Sequence, residues 1–202
     1  MKSALWPLYG ASLGGAGIAL YVSAIQFLPI GLAAIAVVLF WASVSRVLRE
    51  DALFGAPRGG VPAWQIAVPA LALSAIWVAA FLHEGVTRTG ILRMTAAAIT
   101  AQTLSRAGVV AMAWVSRPAT GGLELCARLG TGAAAVAAFI GLLAASIYGL
   151  RLGAALAVGA YLILRAARGW FYHRHGGIDG VDVGHARMLV EAFAVIVATF
   201  AR

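Results

Sequence analysis

Gly130-Thr-Gly-Ala-Ala-Ala-Val-Ala-Ala-Phe-Ile-Gly-Leu-Leu-Ala-Ala-Ser-Ile-Tyr-Gly-Leu150 runs up to Arg151 without one charged side chain. As an α-helix rising about 1.5 Å per residue it reaches roughly 30 Å, the thickness of a bilayer's hydrocarbon core. Segments of the same kind recur on both sides of it. The chain reads as helices at about 6–27, 31–47, 61–82, 95–115, 130–150, 153–167 and 188–201. Tight links at Leu28-Pro-Ile30 and near Arg151 make hairpins of their neighbours. The expected fold is all-α, a polytopic transmembrane bundle of about seven helices. Residues 1–202 form a single integral membrane domain, with cytoplasmic loops at about 48–60, 116–129 and 168–187.

Composition supports this. Hydrophobic residues make up 62% of the 202 residues and charged ones 11%, and the mean hydropathy is +0.93, too apolar for an ordinary soluble domain. Alanine, leucine, valine and glycine dominate the apolar runs, which suits packed helices better than the alternation of an outer-membrane barrel. Lys2 just ahead of the first run raises a cleaved signal peptide, but no polar domain follows for it to deliver, so that run reads as a first membrane helix. Cys126 is the only cysteine, which rules out an intrachain disulfide and a four-cysteine metal site. The net charge of +8 does not point to nucleic acid, because the bases sit between apolar segments rather than on one continuous face.

The bases set an orientation instead. With the amino terminus inside, Lys2, Arg46, Arg49, Arg58, Arg117, Arg128, Arg165, Arg168, Arg174 and Arg187 fall on the cytoplasmic side. Arg88, Arg93, Arg151 and Arg202 fall outside, and Arg106 lies within a helix. Cationic loops stay inside, so the chain is expected in the bacterial cytoplasmic (inner) membrane, multi-pass, with its amino terminus inside. Of the acids, Glu50, Asp51, Glu124, Asp179, Asp182 and Glu191 share the cytoplasmic face and only Glu84 lies outside. The chemistry is expected to face the cytoplasm.

Tyr172-His-Arg-His-Gly-Gly-Ile-Asp-Gly-Val-Asp-Val-Gly-His-Ala-Arg-Met-Leu-Val-Glu191 packs glycines, carboxylates and bases between two apolar runs. Glycine lets a backbone approach a ligand closely, and aspartate oxygens suit a divalent cation. Arg165, Arg168, His173, Arg174 and His175 precede this run, a pairing suited to a diphosphate held by cations and metal. The plainer reading, arginines meeting anionic lipid headgroups, covers the bases but leaves Gly176, Gly177, Asp179, Gly180, Asp182 and Gly184 unused. In the loop after the second helix, Glu50 and Asp51 are adjacent and could hold Mg²⁺, or could simply be solvated beside helix-end arginines. Arg106 sits mid-helix beside Ser105, where a lone charge is costly, so it needs Glu191, a substrate phosphate or a structural ion pair. Gly10 and Gly14 form a small-xxx-small pair that reads as close helix packing. His83-Glu84 lacks the second histidine a zinc site would need one turn on, so no metal is assigned there.

These segments resemble the adenosylcobinamide-GDP ribazoletransferase (cobalamin synthase) family. Gly176-Gly-Ile-Asp-Gly-Val-Asp-Val-Gly184 with Glu191 looks like that family's G-G-x-x-G-D-x-x-G segment and downstream glutamate. Leu104-Ser-Arg-Ala107 looks like its L-S-R-A, Pro7-Leu-Tyr-Gly10 like its P-L-x-G, and Leu48-Arg-Glu-Asp-Ala-Leu53 like the start of its L-H-E-D-G-L-A-D-x-x-D-G motif. The chain departs where Arg49 replaces His, Ala52 replaces Gly, Gly55 replaces a second Asp, Val181 stands at an Asp position and Met188 replaces a glutamate. The family's K-D-S-R-x-G-T-x-G stretch is deleted.

The resemblance implies a Mg²⁺-dependent transferase that joins α-ribazole, or its 5′-phosphate, to adenosylcobinamide-GDP and releases GMP, the last step of cobalamin nucleotide-loop assembly. It implies Glu50, Asp51, Asp179 and Asp182 as metal ligands, Arg106 and Glu191 as catalytic groups, and Arg174, Gly176, Gly177 and Gly180 at the substrate. Expected partners are these substrates and membrane lipids, with a homo-oligomer left open. The alternatives are an inactive descendant that binds or scaffolds in the membrane, and a small transporter whose Arg106 and Glu191 line a path. A CDP-alcohol phosphotransferase fits less well, because its spaced set of four aspartates is missing.

Overall fold

Prolines and caps decide where this chain begins to wind. Pro7 lies in the first turn of α1 (Trp6–Ala24), where a missing N–H costs nothing. Ahead of α2 (Ile30–Val47), the Pro29 carbonyl accepts from Ala33 N at 3.0 Å. A computed structural model describes residues 2–47, 63–119 and 129–200. Those residues also form α3 (Ala63–Glu84), α4 (Arg88–Trp114), α5 (Thr131–Ala145), α6 (Gly149–His175) and α7 (Gly180–Phe200). A 3-10 turn at Ser146–Tyr148 joins α5 directly to α6, so the seven helices make six separate helical runs. The architecture is all-helical; among the described residues the nearest thing to a sheet is one isolated bridge, Pro118 with Ile178.

Three helices extend further than hydropathy alone predicts. α4 begins at Arg88 rather than near 95, because the Thr87 hydroxyl caps it by accepting from Gly90 N at 2.9 Å. α6 continues past 167 to His175 and stops where Gly176 turns left-handed at φ +70°. α7 begins at Gly180 rather than 188. The turns added are polar, so a search for apolar runs passes over them, while the backbone pairing they need comes from caps.

Side-chain contacts fix the helix directions. Gly14 of α1 meets the Ala98 carbonyl of α4, while Tyr21 donates to Gly85 O ahead of α4 at 3.2 Å, so α1 and α4 run antiparallel. Thr100 donates to Ala144 O at 3.0 Å and Tyr148 to Arg93 O at 3.4 Å, so α5 also opposes α4. Leu164 lies against Gly108, and Arg168 reaches Ser116 Oγ at 3.1 Å, so α6 runs back along α4 and closes the α5–α6 hairpin. α7 runs parallel to α3, with His185 bonded to Gln65 O at 2.8 Å near one end and His83 stacked on Phe200 at 5.1 Å near the other. The bundle therefore has an Asp179 end, which gathers residues 114–119 and 172–182, and a Gly149 end, which gathers 84–88 and Phe200.

α4 is the central helix, and α1, α5, α6 and α7 all pack on it. Small side chains let the backbones approach: Ala97, Ala98, Ala101, Ala107 and Ala113 are buried, and a Cβ on Gly14 would stand 2.7 Å from the Ala98 carbonyl oxygen. Gly10 is closer still to the Gln102 carbonyl, so the Gly10/Gly14 pair is a helix-packing device. The outside is oily, with Phe27, Leu39, Leu71, Phe139, Leu143 and Leu150 exposed. Trp64–Glu84, Gly180–Phe200 and the hairpin stretch Thr131–Arg174 are long and apolar enough to cross a membrane.

Candidate functional site

Glu191 lies on α7, 2% exposed, and is held from three directions. Trp77 Nε1 of α3 donates to its Oε1 at 2.9 Å, Gln102 Nε2 of α4 donates to the same oxygen at 2.7 Å, and Arg187 Nη1, one turn back on α7, sits 3.3 Å from Oε2. Charge-assisted bonds of this kind are the strong ones, and burial raises the cost of breaking them. Gln102 has a second task, because its Oε1 accepts from Arg106 Nη1. Arg106 is fully buried, with Nη1 also 3.1 Å from Gln102 O and its guanidinium 5.8 Å from the Trp6 ring and 5.5 Å from the Tyr9 ring. The link from Arg106 to Glu191 thus passes through Gln102, and the ion-pair partner of Glu191 is Arg187.

A cavity of about 600 Å³ lies between α2, α3 and α7 with Gln102 and Glu191 on its wall. Trp41, Leu73, Ile66 and Trp77 give it apolar walls, and α7 contributes Gly180, Gly184, His185 and Arg187. Trp41 is fixed by a bond from Nε1 to Leu13 O at 2.9 Å and stacks at a tilt on Trp77, with centroids 4.6 Å apart. A concave site of this size with a few convergent polar groups suits a small-molecule ligand.

The glycine–aspartate run forms the start of α7. Asp182 N donates to Asp179 Oδ1 at 2.9 Å and Asp179 N to Asp182 Oδ2 at 3.1 Å, a reciprocal capping box that satisfies two backbone donors. Both carboxylates are buried, at 4% and 5% exposure. Gly176 supplies the left-handed end of α6. A Cβ on Gly177 would stand 2.7 Å from Ala119 N, so its bareness lets residues 117–119 approach. Ala119 N to Ile178 O at 2.9 Å and Ile178 N to Arg117 O at 3.1 Å tie that contact down.

Of the residues singled out from sequence, Glu191 and Gly180 line the cavity and Arg106 joins it through Gln102. Asp179 and Asp182 sit at the start of the same helix. Arg174 is exposed near the end of α6, its guanidinium 5.5 Å from the Trp170 ring. Glu50 and Asp51 lie outside the described residues. Among the described residues no group of three or more His, Cys, Asp or Glu side chains is placed to hold a metal ion. Asp179 and Asp182 by themselves still fit Mg²⁺ in part, since it needs only one or two protein carboxylates when phosphate and water complete its shell.

Sequence reading missed Gln102, Trp77 and the role of Arg187. Two signals were available: Gln102 and Arg106, like Arg187 and Glu191, are spaced i,i+4, which puts each pair on one helix face. Fold and site together define an all-helical bundle with an apolar exterior and a charged network buried beside one cavity. Compared with known proteins, the chain matches no family model, no curated protein and no solved structure.

Proposed function

We propose that this is a multi-pass protein of the bacterial inner membrane, amino terminus inside, that transfers a phosphorylated cobinamide group. In this reading a ribose hydroxyl of α-ribazole, or of its 5′-phosphate, attacks the β-phosphorus of adenosylcobinamide-GDP. The new P–O bond forms as the bond to GMP breaks, and GMP leaves. One observation carries the proposal: Arg106 of the Leu104-Ser-Arg-Ala107 segment and Glu191 of the carboxy-terminal segment, far apart in sequence, join through Gln102 at one cavity.

Phosphoryl transfer depends chiefly on positioning and charge neutralisation. Arg106 is assigned to phosphate charge; Arg174, exposed at the end of α6, does not line the cavity. Glu191 orients Arg187 directly and Arg106 through Gln102. Asp179 and Asp182, with Glu50 and Asp51, would hold Mg²⁺, which neutralises charge on the diphosphate when bound. Gly180 lines the cavity wall without a side chain.

A second reading, ligand binding without turnover, draws on the capping box, since both aspartates already serve α7. GMP release by the purified full chain, with adenosylcobinamide-GDP, α-ribazole and Mg²⁺, separates the two. The transferase reading expects release that chelation abolishes and that fails in Asp182→Asn, whose amide oxygen still caps the helix. Binding of adenosylcobinamide-GDP without GMP release sinks it in favour of the second reading.

A further inference from the structure

The six tryptophans split evenly. Trp6, Trp41 and Trp77 are 8%, 5% and 2% exposed, while Trp64, Trp114 and Trp170 are 63%, 42% and 60% exposed. The exposed three all stand at the Asp179 end. Trp64 neighbours Gln65, which His185 of α7 engages; Trp114 is the last residue of α4 and Trp170 lies in the last two turns of α6. Among the described residues the Gly149 end carries no exposed tryptophan. Its exposed phenylalanines, Phe27 and Phe200, have no polar edge, and Tyr148 there is half-buried with its hydroxyl bonded to Arg93 O.

Cations accompany this ring. Arg117, His173 and Arg174 are exposed at the same end and Arg165 is exposed roughly 7 Å further in along α6 than Trp170, whereas the described acids at that end, Asp179 and Asp182, are buried. Three of the four α6 arginines engage aromatic side chains: Arg174 lies 5.5 Å from the Trp170 ring, Arg168 lies 4.9 Å from the Tyr172 ring, and Arg165 donates to Tyr161 OH at 3.4 Å. Arg165 and Arg174 are nine residues, about two and a half turns, apart, and so point to opposite sides of α6. Among the described exposed arginines, fewer at the Gly149 end lack an acidic partner. Arg88, Arg93 and Arg151 are exposed there, and Arg93 is paired with Glu84 at 3.5 Å. Indole rings settle at the headgroup level because their body is apolar and their N–H is polar, and arginines extend from there to phosphate.

We propose that the Asp179 end is seated in the headgroup layer of an anionic leaflet, with Trp64, Trp114 and Trp170 at the glycerol level and Arg165 and Arg174 taking lipid phosphates on opposite sides of α6. This rests on the membrane reading of the bundle and is independent of the transferase reading. A cation at an anionic surface contributes about fivefold in affinity. Arg168 is kept out of the test because it also holds Ser116 Oγ and Val115 O.

The test uses the full chain in nanodiscs of phosphatidylcholine with a labelled phosphatidylglycerol titrated in. Phosphatidylglycerol is expected to bind preferentially and to quench tryptophan fluorescence when brominated near the glycerol. Arg165→Gln/Arg174→Gln should weaken that preference roughly twenty-fivefold, about fivefold per arginine, and Arg88→Gln/Arg151→Gln at the other end should leave it within about twofold. Trp64→Phe/Trp114→Phe/Trp170→Phe should remove most of the shallow quenching. Normal insertion with no preference for the anionic lipid, or an equal loss from both arginine pairs, overturns this proposal and leaves the membrane reading standing. Failure to insert at all overturns both.

Discussion

Replacing Gln102 with leucine removes a side chain that bonds to both Arg106 and Glu191 while keeping most of its volume. Gln102 is 2% exposed, so solvent does not stand in for the lost amide. Two charge-assisted bonds disappear, the Gln102 Nε2 bond to Glu191 Oε1 at 2.7 Å and the Arg106 bond to Gln102 Oε1. Hydrogen bonds to charged groups contribute about 1.5–3 kcal/mol each in water-soluble proteins. Between membrane helices the measured range falls to about 0.6–1.7 kcal/mol, because the unfolded state in lipid also finds partners. Trp77 and Arg187 still hold Glu191, and the Gln102 backbone carbonyl still accepts from Arg106. The net expectation is therefore a loss of about 2–4 kcal/mol, intermediate between the two scales. In a chain of this length that lowers Tm by roughly 5–15 °C. Thermal unfolding of the detergent-solubilised protein reads it, with a Gln102→Leu/Glu191→Gln double-mutant cycle to isolate the coupling. A Gln102→Leu protein within 0.5 kcal/mol of the parent would refute the network as drawn.

Other positions give independent checks. Gly14→Val puts side-chain carbon against the Ala98 carbonyl, 2.7 Å from where a Cβ would stand, and should cost about 1–3 kcal/mol and splay α1 from α4, read by thermal unfolding. Asp182→Ala should cost about 1 kcal/mol by breaking the capping box, while Asp182→Asn, which keeps an acceptor, should cost only a few tenths. Gly177→Ala brings a Cβ to 2.7 Å from Ala119 N and should raise amide hydrogen exchange at Ala119 and Ile178, where the bridge pairs them. Trp77→Phe keeps an aromatic ring but removes the 2.9 Å bond to Glu191, and should lower stability by about 1–2 kcal/mol in the same melt.

Helix order and hairpin positions are legible from sequence because each run is apolar even at exposed positions such as Leu71, Phe139 and Leu143. Helix ends are not, because hydropathy does not register turns such as Arg168–Arg174, which carry polar side chains yet stay helical. The cap signals were nonetheless written in the chain, in Thr87 and in the Asp179-x-x-Asp182 spacing. For the site, charge in an apolar run marks Arg106 and Glu191 directly. Gln102 and Trp77 look unremarkable until folding brings them to Glu191, since their roles depend on pairing across helices rather than on local composition. The glycines show how one residue type serves two ends: Gly176 and Gly177 answer to a helix stop and to Ala119, while Gly180 opens on the cavity.

Single-turnover GMP release by the membrane-embedded chain, compared between the parent and Glu191→Gln, bears most directly on the assignment of this cavity to phosphoryl transfer. The glutamine keeps an oxygen for Trp77 and Gln102 but removes the charge opposite Arg187. Mg²⁺-dependent release in the parent and a loss of at least tenfold in the variant, about 1.4 kcal/mol in the barrier, is the predicted result. Release at the parental rate from Glu191→Gln, or none from either protein, would contradict it.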